Sequence, residues 1–183
     1  MGPWAAQMMG DMGADVIKVE TPNGDISRGM GPARNKGMAA CFLTTNRNKR
    51  SIVLDLNQND GVNALRRLIG TADVFMHNFR PKVMEKFSLG YETFKDTNPE
   101  LVYCGAYGFR ADGPWANKPA YDDVIQTASG LCEMQELLSD QPRYVPTLMA
   151  DKTSAYAVFS AILAALVHRE RGGGGQAVEV PMY

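Results

Sequence analysis

Cysteine, histidine and tryptophan are scarce in this 183-residue chain, with three, two and two residues respectively. Cys41, Cys104 and Cys132 are widely separated, odd in number and without a C-x-x-C pair, which argues against a disulfide framework or a zinc site. A reducing, cytoplasmic setting is the expectation. His77 and His168 are too few for a histidine-rich metal centre, and neither stands in an H-E-x-x-H pattern, so no metal is expected. No basic segment precedes an apolar run at the N-terminus, and nothing there reads as a secretory signal. An excess of one charge is also missing. Nineteen basic and 20 acidic residues leave a formal net charge of -1, with no overall field to attract nucleic acid. The longest apolar stretch, Tyr156–Val167, is too short for a bilayer, so no membrane association is expected. What is present is a globular balance, 45% hydrophobic and 21% charged, with enough length for one domain and a core.

Hydrophobic periodicity predicts alternating helices and strands. Met1–Gly13 has helical spacing through Trp4, Met8, Met9 and Met12, and Val16–Val19 follows as a strand. Ser51–Asp55 is β-rich, Gly61–Ile69 is amphipathic, and Asp73–His77 is apolar. Short helical pieces at Val83–Phe87 and Tyr91–Asp96 lead to a strand at Leu101–Tyr107. A helix is expected near Tyr121–Cys132, then a polar connector at Ser139–Pro146. The strongest helix runs from Asp151 to about His168, with Ala155, Val158, Phe159, Ile162, Leu163 and Leu166 on one face. Ala177–Pro181 is the last strand. The alternation predicts an α/β, Rossmann-like fold with a mostly parallel sheet and flanking helices. Gly2-Pro3 opens a helix with no strand ahead of it, and the chain stops just after a strand, so residues 1–183 read as a partial large domain.

Gly10 and Gly13 ahead of Val16–Glu20 look like a dinucleotide-binding turn, but they precede the strand instead of following it. They read as helix-closing glycines. Gly172–Gly175 likewise follows a helix and reads as a flexible connector. Arg28, Arg34, Lys36, Arg47, Lys49 and Arg50 concentrate positive charge between the first two strands, which suits either a phosphate-bearing ligand or a solvated loop. Asp151 begins the strongest helix. It is either an N-cap or a nucleophile, since an ionised carboxylate needs no base to attack an activated acyl group.

Specific residues then match a known pattern. Gly2-Pro3, the run Asp11–Glu20, Gly24-Asp25 with Arg28, Asn46–Asp55, Ala72–Val74 and Asn78–Pro81 occur in that order. Leu89–Tyr91, Asn98-Pro99, Gly108-Phe109, Gly113-Pro114, Pro119–Asp122, Ser129-Gly130, Ala150-Asp151, Arg169–Arg171, Gly175-Gln176 and Val178–Val180 follow. This series resembles the N-terminal portion of the family III CoA-transferases, the CaiB/BaiF or formyl-CoA-transferase-like group, over essentially the whole chain.

The resemblance implies that CoA moves between two carboxylic acids through an aspartyl mixed anhydride and a β-aspartyl-CoA thioester, with Asp151 as the catalyst. It implies coenzyme A contacts at Arg28, Leu54, Asn78, Phe79 and Lys86, while Asn57 stands where the family can hold a lysine. Tyr121 matches a position at which the related α-methylacyl-CoA racemases use histidine. A tyrosine is a poor base at neutral pH, which favours transferase over racemase; it fits either a substrate pocket or a packed ring. Acyl-CoA and a carboxylic acid are the implied partners, and an interlocked homodimer is the implied assembly. The family's small domain, glycine-rich active-site loop and C-terminal return segment are not within residues 1–183. An inactive CoA-binding or subunit-pairing fragment is one alternative, and an α-methylacyl-CoA racemase-like enzyme is the other.

Overall fold

The computed structural model describes residues 1–183, which divide into two units, Pro3–Ala72 and Met1–Gly2 with Asp73–Tyr183. Helix α1 (Gly2–Asp11) leads into strand β1 (Val16–Glu20). Gly13, at φ 100°, supplies the left-handed residue that turns the helix into the strand, and Ala14 N–H donates back to the Met9 carbonyl at 3.0 Å. Gly10 has a different use: a Cβ there would stand 2.9 Å from the Asn48 carbonyl oxygen.

Helix α2 (Ala40–Thr45), strand β2 (Lys49–Val53) and helix α3 (Asn59–Ile69) complete the first unit. Strand β2 pairs parallel with β1, from Val16 opposite Lys49 to Glu20 opposite Val53. Helix α3 buries Val62, Leu65 and Ile69, the spacing of a single helical stripe.

The second unit holds a three-stranded parallel sheet in the order β3 (Val74–His77), β4 (Val102–Tyr107) and β5 (Gln176–Pro181). Central β4 is buried from Val102 to Ala106, as a strand covered on both faces requires. Its gap at Gly105 is taken by the Tyr107 ring, whose hydroxyl lies 2.4 Å from where a Cβ would be. Helices α4 (Pro81–Lys86) and α5 (Tyr91–Phe94) link β3 to β4. After β4 come α6 (Asp122–Ala128), α7 (Leu131–Met134), α8 (Glu136–Ser139) and the long α9 (Met149–His168). Helix α9 packs on β4 and β5 through buried Ala155, Val158, Ile162 and Ala165.

Several expectations need correction. The helix expected over Tyr121–Cys132 is broken at Gly130, whose φ of 78° separates α6 from α7. Part of the polar connector is the short helix α8. Leu163 stands 40% exposed and Ala165 takes the inward position instead. The glycine run is no loose connector. Arg169–Gly173 forms a wide helical turn, and Gly175 donates to the Pro99 carbonyl at 2.9 Å, where a Cβ would meet Leu101 backbone at 2.5 Å. Helix α9 with that turn makes 25 residues, Met149–Gly173, and an 18-residue stretch within it has a mean hydropathy of 1.3, long and apolar enough by length and composition to cross a bilayer. Its buried stripe is spent on the sheet.

Gly61 lies inside α3, where alanine would ordinarily be worth about 1 kcal/mol. A Cβ there would sit 2.1 Å from the Asp55 carbonyl oxygen, so Gly61→Ala is predicted to destabilise by about 1–3 kcal/mol. Urea denaturation reads this directly, and a stabilised variant would contradict it.

His77 is buried against Tyr103, Phe75 and Tyr107, with ring centroids 5.1, 5.5 and 5.9 Å away, and neither ring nitrogen reaches full hydrogen-bond geometry. Burial pushes its pKa down to about 4, with the Phe79 backbone opposing. The unfolded chain therefore takes up a proton at a pH where the folded chain does not. Stability from the neutral ring is complete above about pH 6.5 and is lost as the pH falls towards 4. Denaturation midpoints between pH 7 and 4 should show this slope, and His77→Phe should flatten it; an unchanged slope in the variant would count against the assignment.

Candidate active site

Asp151 lies in the first turn of α9, but the helix begins two residues earlier, with Leu148 at the N-cap position. The N-cap reading of Asp151 is thereby corrected. Leu148 offers no side-chain cap, and the backbone N–H of Asp151 instead donates to Asp122 Oδ1 at 2.9 Å, from the first turn of α6. The other oxygen, Asp122 Oδ2, accepts from Gln126 Nε2 at 2.6 Å. Gln126 also grips the segment that enters α9. Its Oε1 accepts from Val145 N–H at 2.8 Å, while Nε2 faces the carbonyls of Thr147 at 3.1 Å and Val145 at 3.4 Å. Asp122 and Gln126 are both buried.

The Asp151 side chain retains 30% of its exposure, and Oδ1 accepts from the amino group of Met1 at 2.5 Å. A partly exposed carboxylate at a helix start, its main chain held from the side, is suited to nucleophilic attack. Sequence reasoning passed over Asp122 and Gln126 as site residues. Their i, i+4 spacing puts both on one helix face, but the contact that matters is to a segment about 20 residues away.

In the same unit, Asn78 and Phe79 follow β3 directly, are exposed, and precede α4. The ends of parallel strands are where open α/β sheets hold ligands. Lys86 closes α4 with its ammonium 5.7 Å from the Phe87 ring centroid, and is exposed. Tyr121 immediately precedes Asp122 and is 69% exposed, so its ring is not packed. No cluster of three or more His, Cys, Asp or Glu side chains is placed to hold a metal ion.

Arg28 and Leu54 lie in the other unit. Arg28 forks onto buried Glu20 through Nε at 2.7 Å and a terminal nitrogen at 2.8 Å, and its guanidinium carbon lies 3.8 Å from the Phe42 ring centroid. Glu20 also accepts from Asp25 N–H at 3.0 Å and Ser51 Oγ at 2.8 Å. Asp25 in turn caps the short 3-10 turn Ile26–Gly29 by accepting from Ser27 N–H and Oγ at 2.7 and 2.6 Å, and pairs with Lys18. Gly24, at φ 80°, leaves room for the Arg28 stem, which would lie 3.0 Å from a Cβ. Leu54, half-buried, donates its N–H to the Glu20 carbonyl at 2.9 Å. Asn57 is exposed and folds back on Asp55.

The positive cluster is mostly neutralised. Arg47 pairs with Asp11 and Arg50 with Asp15, leaving Arg34 and Lys36 as exposed cations without an ion pair. Lys49 points inward to the carbonyls of Pro3 and Thr45 and to Asn46 Oδ1, at 2.7, 2.8 and 2.9 Å. Burial lowers its pKa to about 7.

The Arg28 hydrogen bond leads the forces that hold Glu20 at about 2, below the ordinary 4.5, against the opposing effect of burial. Its contribution to stability is therefore full above about pH 4.5 and is lost as the pH falls towards 2. Glu20→Gln is predicted to lower stability at pH 7 and to make the acid limb between pH 4.5 and 2.5 shallower in chemical denaturation. Parallel acid limbs would show that Glu20 is not paired this way.

A sequence model described as CoA-transferase family III matches residues 1–183. The chain is 42% identical over 188 residues to a succinate–glutarate CoA-transferase of Agrobacterium fabrum, covering 99% of this chain and 47% of that protein. It is 37% identical over 190 residues to a succinyl-CoA:mesaconate CoA-transferase of Haloarcula hispanica, covering 100% and 48%. The crystal structure of a CaiB/BaiF family protein from Brucella suis superposes with a TM-score of 0.93 at 38% identity, covering 99% of this chain and 49% of that one. The chain thus spans about half the length of the curated relatives it matches. It belongs to the family III CoA-transferases.

Proposed function

We propose that the protein carrying this chain moves CoA between two carboxylic acids with Asp151 as the covalent catalyst. The observation that carries this reading is the placement of Asp151, a partly exposed carboxylate whose backbone amide is held by Asp122 at 2.9 Å in the first turn of α9. Family membership and the transferase names of the relatives support it.

In the proposed cycle the carboxylate attacks the acyl-CoA carbonyl, forming a mixed anhydride and expelling CoA thiolate. The thiolate attacks the aspartyl carbonyl, releasing the donor acid and leaving a β-aspartyl-CoA thioester. The acceptor carboxylate then attacks that thioester, and the thiolate takes the acceptor's acyl group, regenerating Asp151. Every step exchanges one activated carboxyl for another, so excluding water matters more than driving force.

Arg28, Leu54, Asn78, Phe79 and Lys86 are assigned to coenzyme A, and Tyr121 to the substrate pocket. In this reading the forked Glu20 contact holds the Arg28 guanidinium in one orientation for its ligand. No metal takes part. The protein works in the cytoplasm, where its three cysteines stay reduced, and as a homodimer, with residues 1–183 forming part of the large domain.

The test uses the whole protein with succinyl-CoA as donor and glutarate as acceptor, a pair drawn from the relatives' names. Hydroxylamine trapping followed by peptide mass spectrometry should place the adduct on Asp151, and Asp151→Asn should lower kcat by at least about 10³-fold while remaining folded. Full turnover in Asp151→Asn would remove the proposal. CoA binding by the wild type without turnover would favour a binding module.

A further inference from the structure

We propose that Gln126 is a positioning residue for Asp151, acting through Asp122 and through the main chain that enters α9. This rests on Asp151 being the nucleophile.

Gln126 is 2% exposed, and a carboxamide buried to that extent is tolerated only when its polar atoms are bonded. Its oxygen faces an N–H, that of Val145, and its nitrogen faces only oxygens, those of Asp122, Thr147 and Val145. Turning the amide over would set N–H against N–H and oxygen against oxygen, so the side chain has one acceptable orientation. It reads both the N–H and the carbonyl of Val145, as a neighbouring strand would, and adds the carbonyl of Thr147. The connector is thereby fixed up to one residue before the Leu148 cap position.

The second arm of the grip is Asp122. Its carboxylate is bonded on both oxygens, by Gln126 on one side and the Asp151 amide on the other. A carboxylate pinned at both ends is not free to rotate. The Asp151 backbone therefore has a partner in one place, although α9 has no side-chain cap of its own. The location of the Asp151 Cα follows from Gln126 on both routes. Covalent attack demands placement of the reacting oxygen to within a few tenths of an ångström, and a misplacement near 1 Å loses about 10²-fold in rate. Nothing in this role requires Gln126 to touch a substrate.

The experiment uses the whole protein with succinyl-CoA and glutarate. Gln126→Met keeps the volume and removes every bond. Expected are a kcat lower by about 10- to 10²-fold, a KM for succinyl-CoA within about 3-fold of wild type, and slower adduct formation on Asp151. Backbone hydrogen exchange should accelerate at Val145 and Asp151. Gln126→Glu sets a second carboxylate against Asp122 and should be at least as impaired. Asp122→Asn alone sets an NH2 against either Gln126 Nε2 or the Asp151 N–H, breaks one of the two bonds of that side chain, and should also lower kcat by at least about tenfold.

Unchanged kcat in a folded Gln126→Met, or a rise in KM alone, overturns the inference. Should Gln126→Met not fold, Asp122→Asn decides: a folded Asp122→Asn with unchanged kcat also overturns it. Absence of any adduct on wild-type Asp151 removes the nucleophile reading itself, whereas equal adduct rates in wild type and Gln126→Met remove only the role of Gln126.

Discussion

A helix that begins without a capping side chain must find partners for its first amides elsewhere. Helix α9 finds one in Asp122, a buried carboxylate on a different helix, which accepts from the Asp151 amide. Had an aspartate or serine occupied the Leu148 position, the first turn would have been satisfied locally and its placement left to packing alone. The packing itself is strong on one side only. Ala155, Val158, Ile162 and Ala165 seat α9 on β4 and β5 from its second turn onward, while the first turn depends on polar contacts. A carboxylate that rides on a polar-held turn above a packed helix combines rigidity below with access above.

The unit Pro3–Ala72 solves a comparable problem with charge. Glu20 ends β1 with its carboxylate buried, and three donors from separate parts of that unit converge on it: Arg28, the Asp25 amide and Ser51. Burying a carboxylate is tolerable only with such compensation. The spacing of Glu20, Gly24, Asp25 and Arg28 follows from it. Gly24 takes the positive φ and leaves space for the arginine stem, Asp25 caps the next turn, and Arg28 returns to the starting residue. What reads in the sequence as a run of cations is chiefly a set of paired ones. Arg47 and Arg50 are matched by Asp11 and Asp15, and Lys49 is absorbed by carbonyls.

The five strands and the long helix were legible because their signals are local. Val16–Val19, Asp73–His77 and Leu101–Tyr107 are apolar runs bounded by turn residues, and the α9 stripe repeats with helical period. Helix α2 was not legible, since Ala40–Thr45 has no capping side chain, no acidic first turn and no buried residue. The start of α9 is hard to read because Asp151 is the nearest capping-type residue, whereas the helix begins at Met149 and the partner of its first-turn amide lies on α6. The glycine run misled for the same reason: Gly175 is required by close approach to Leu101 and not by flexibility. Asp151 itself could be singled out from sequence, but the pair that holds it could not, because Gln126 meets a connector separated from it by a glycine break and two short helices.

The most direct test of covalent participation by Asp151 follows one oxygen atom. In the proposed cycle the bridging oxygen of the second anhydride comes from the acceptor acid and stays on the aspartate when thiolate takes the acyl group. One turnover of the whole protein with glutarate carrying oxygen-18 in its carboxylates should leave one heavy oxygen in the peptide containing Asp151. If the acids exchange CoA and that peptide keeps its natural mass, transfer occurs without the aspartate, and the account of this site is wrong.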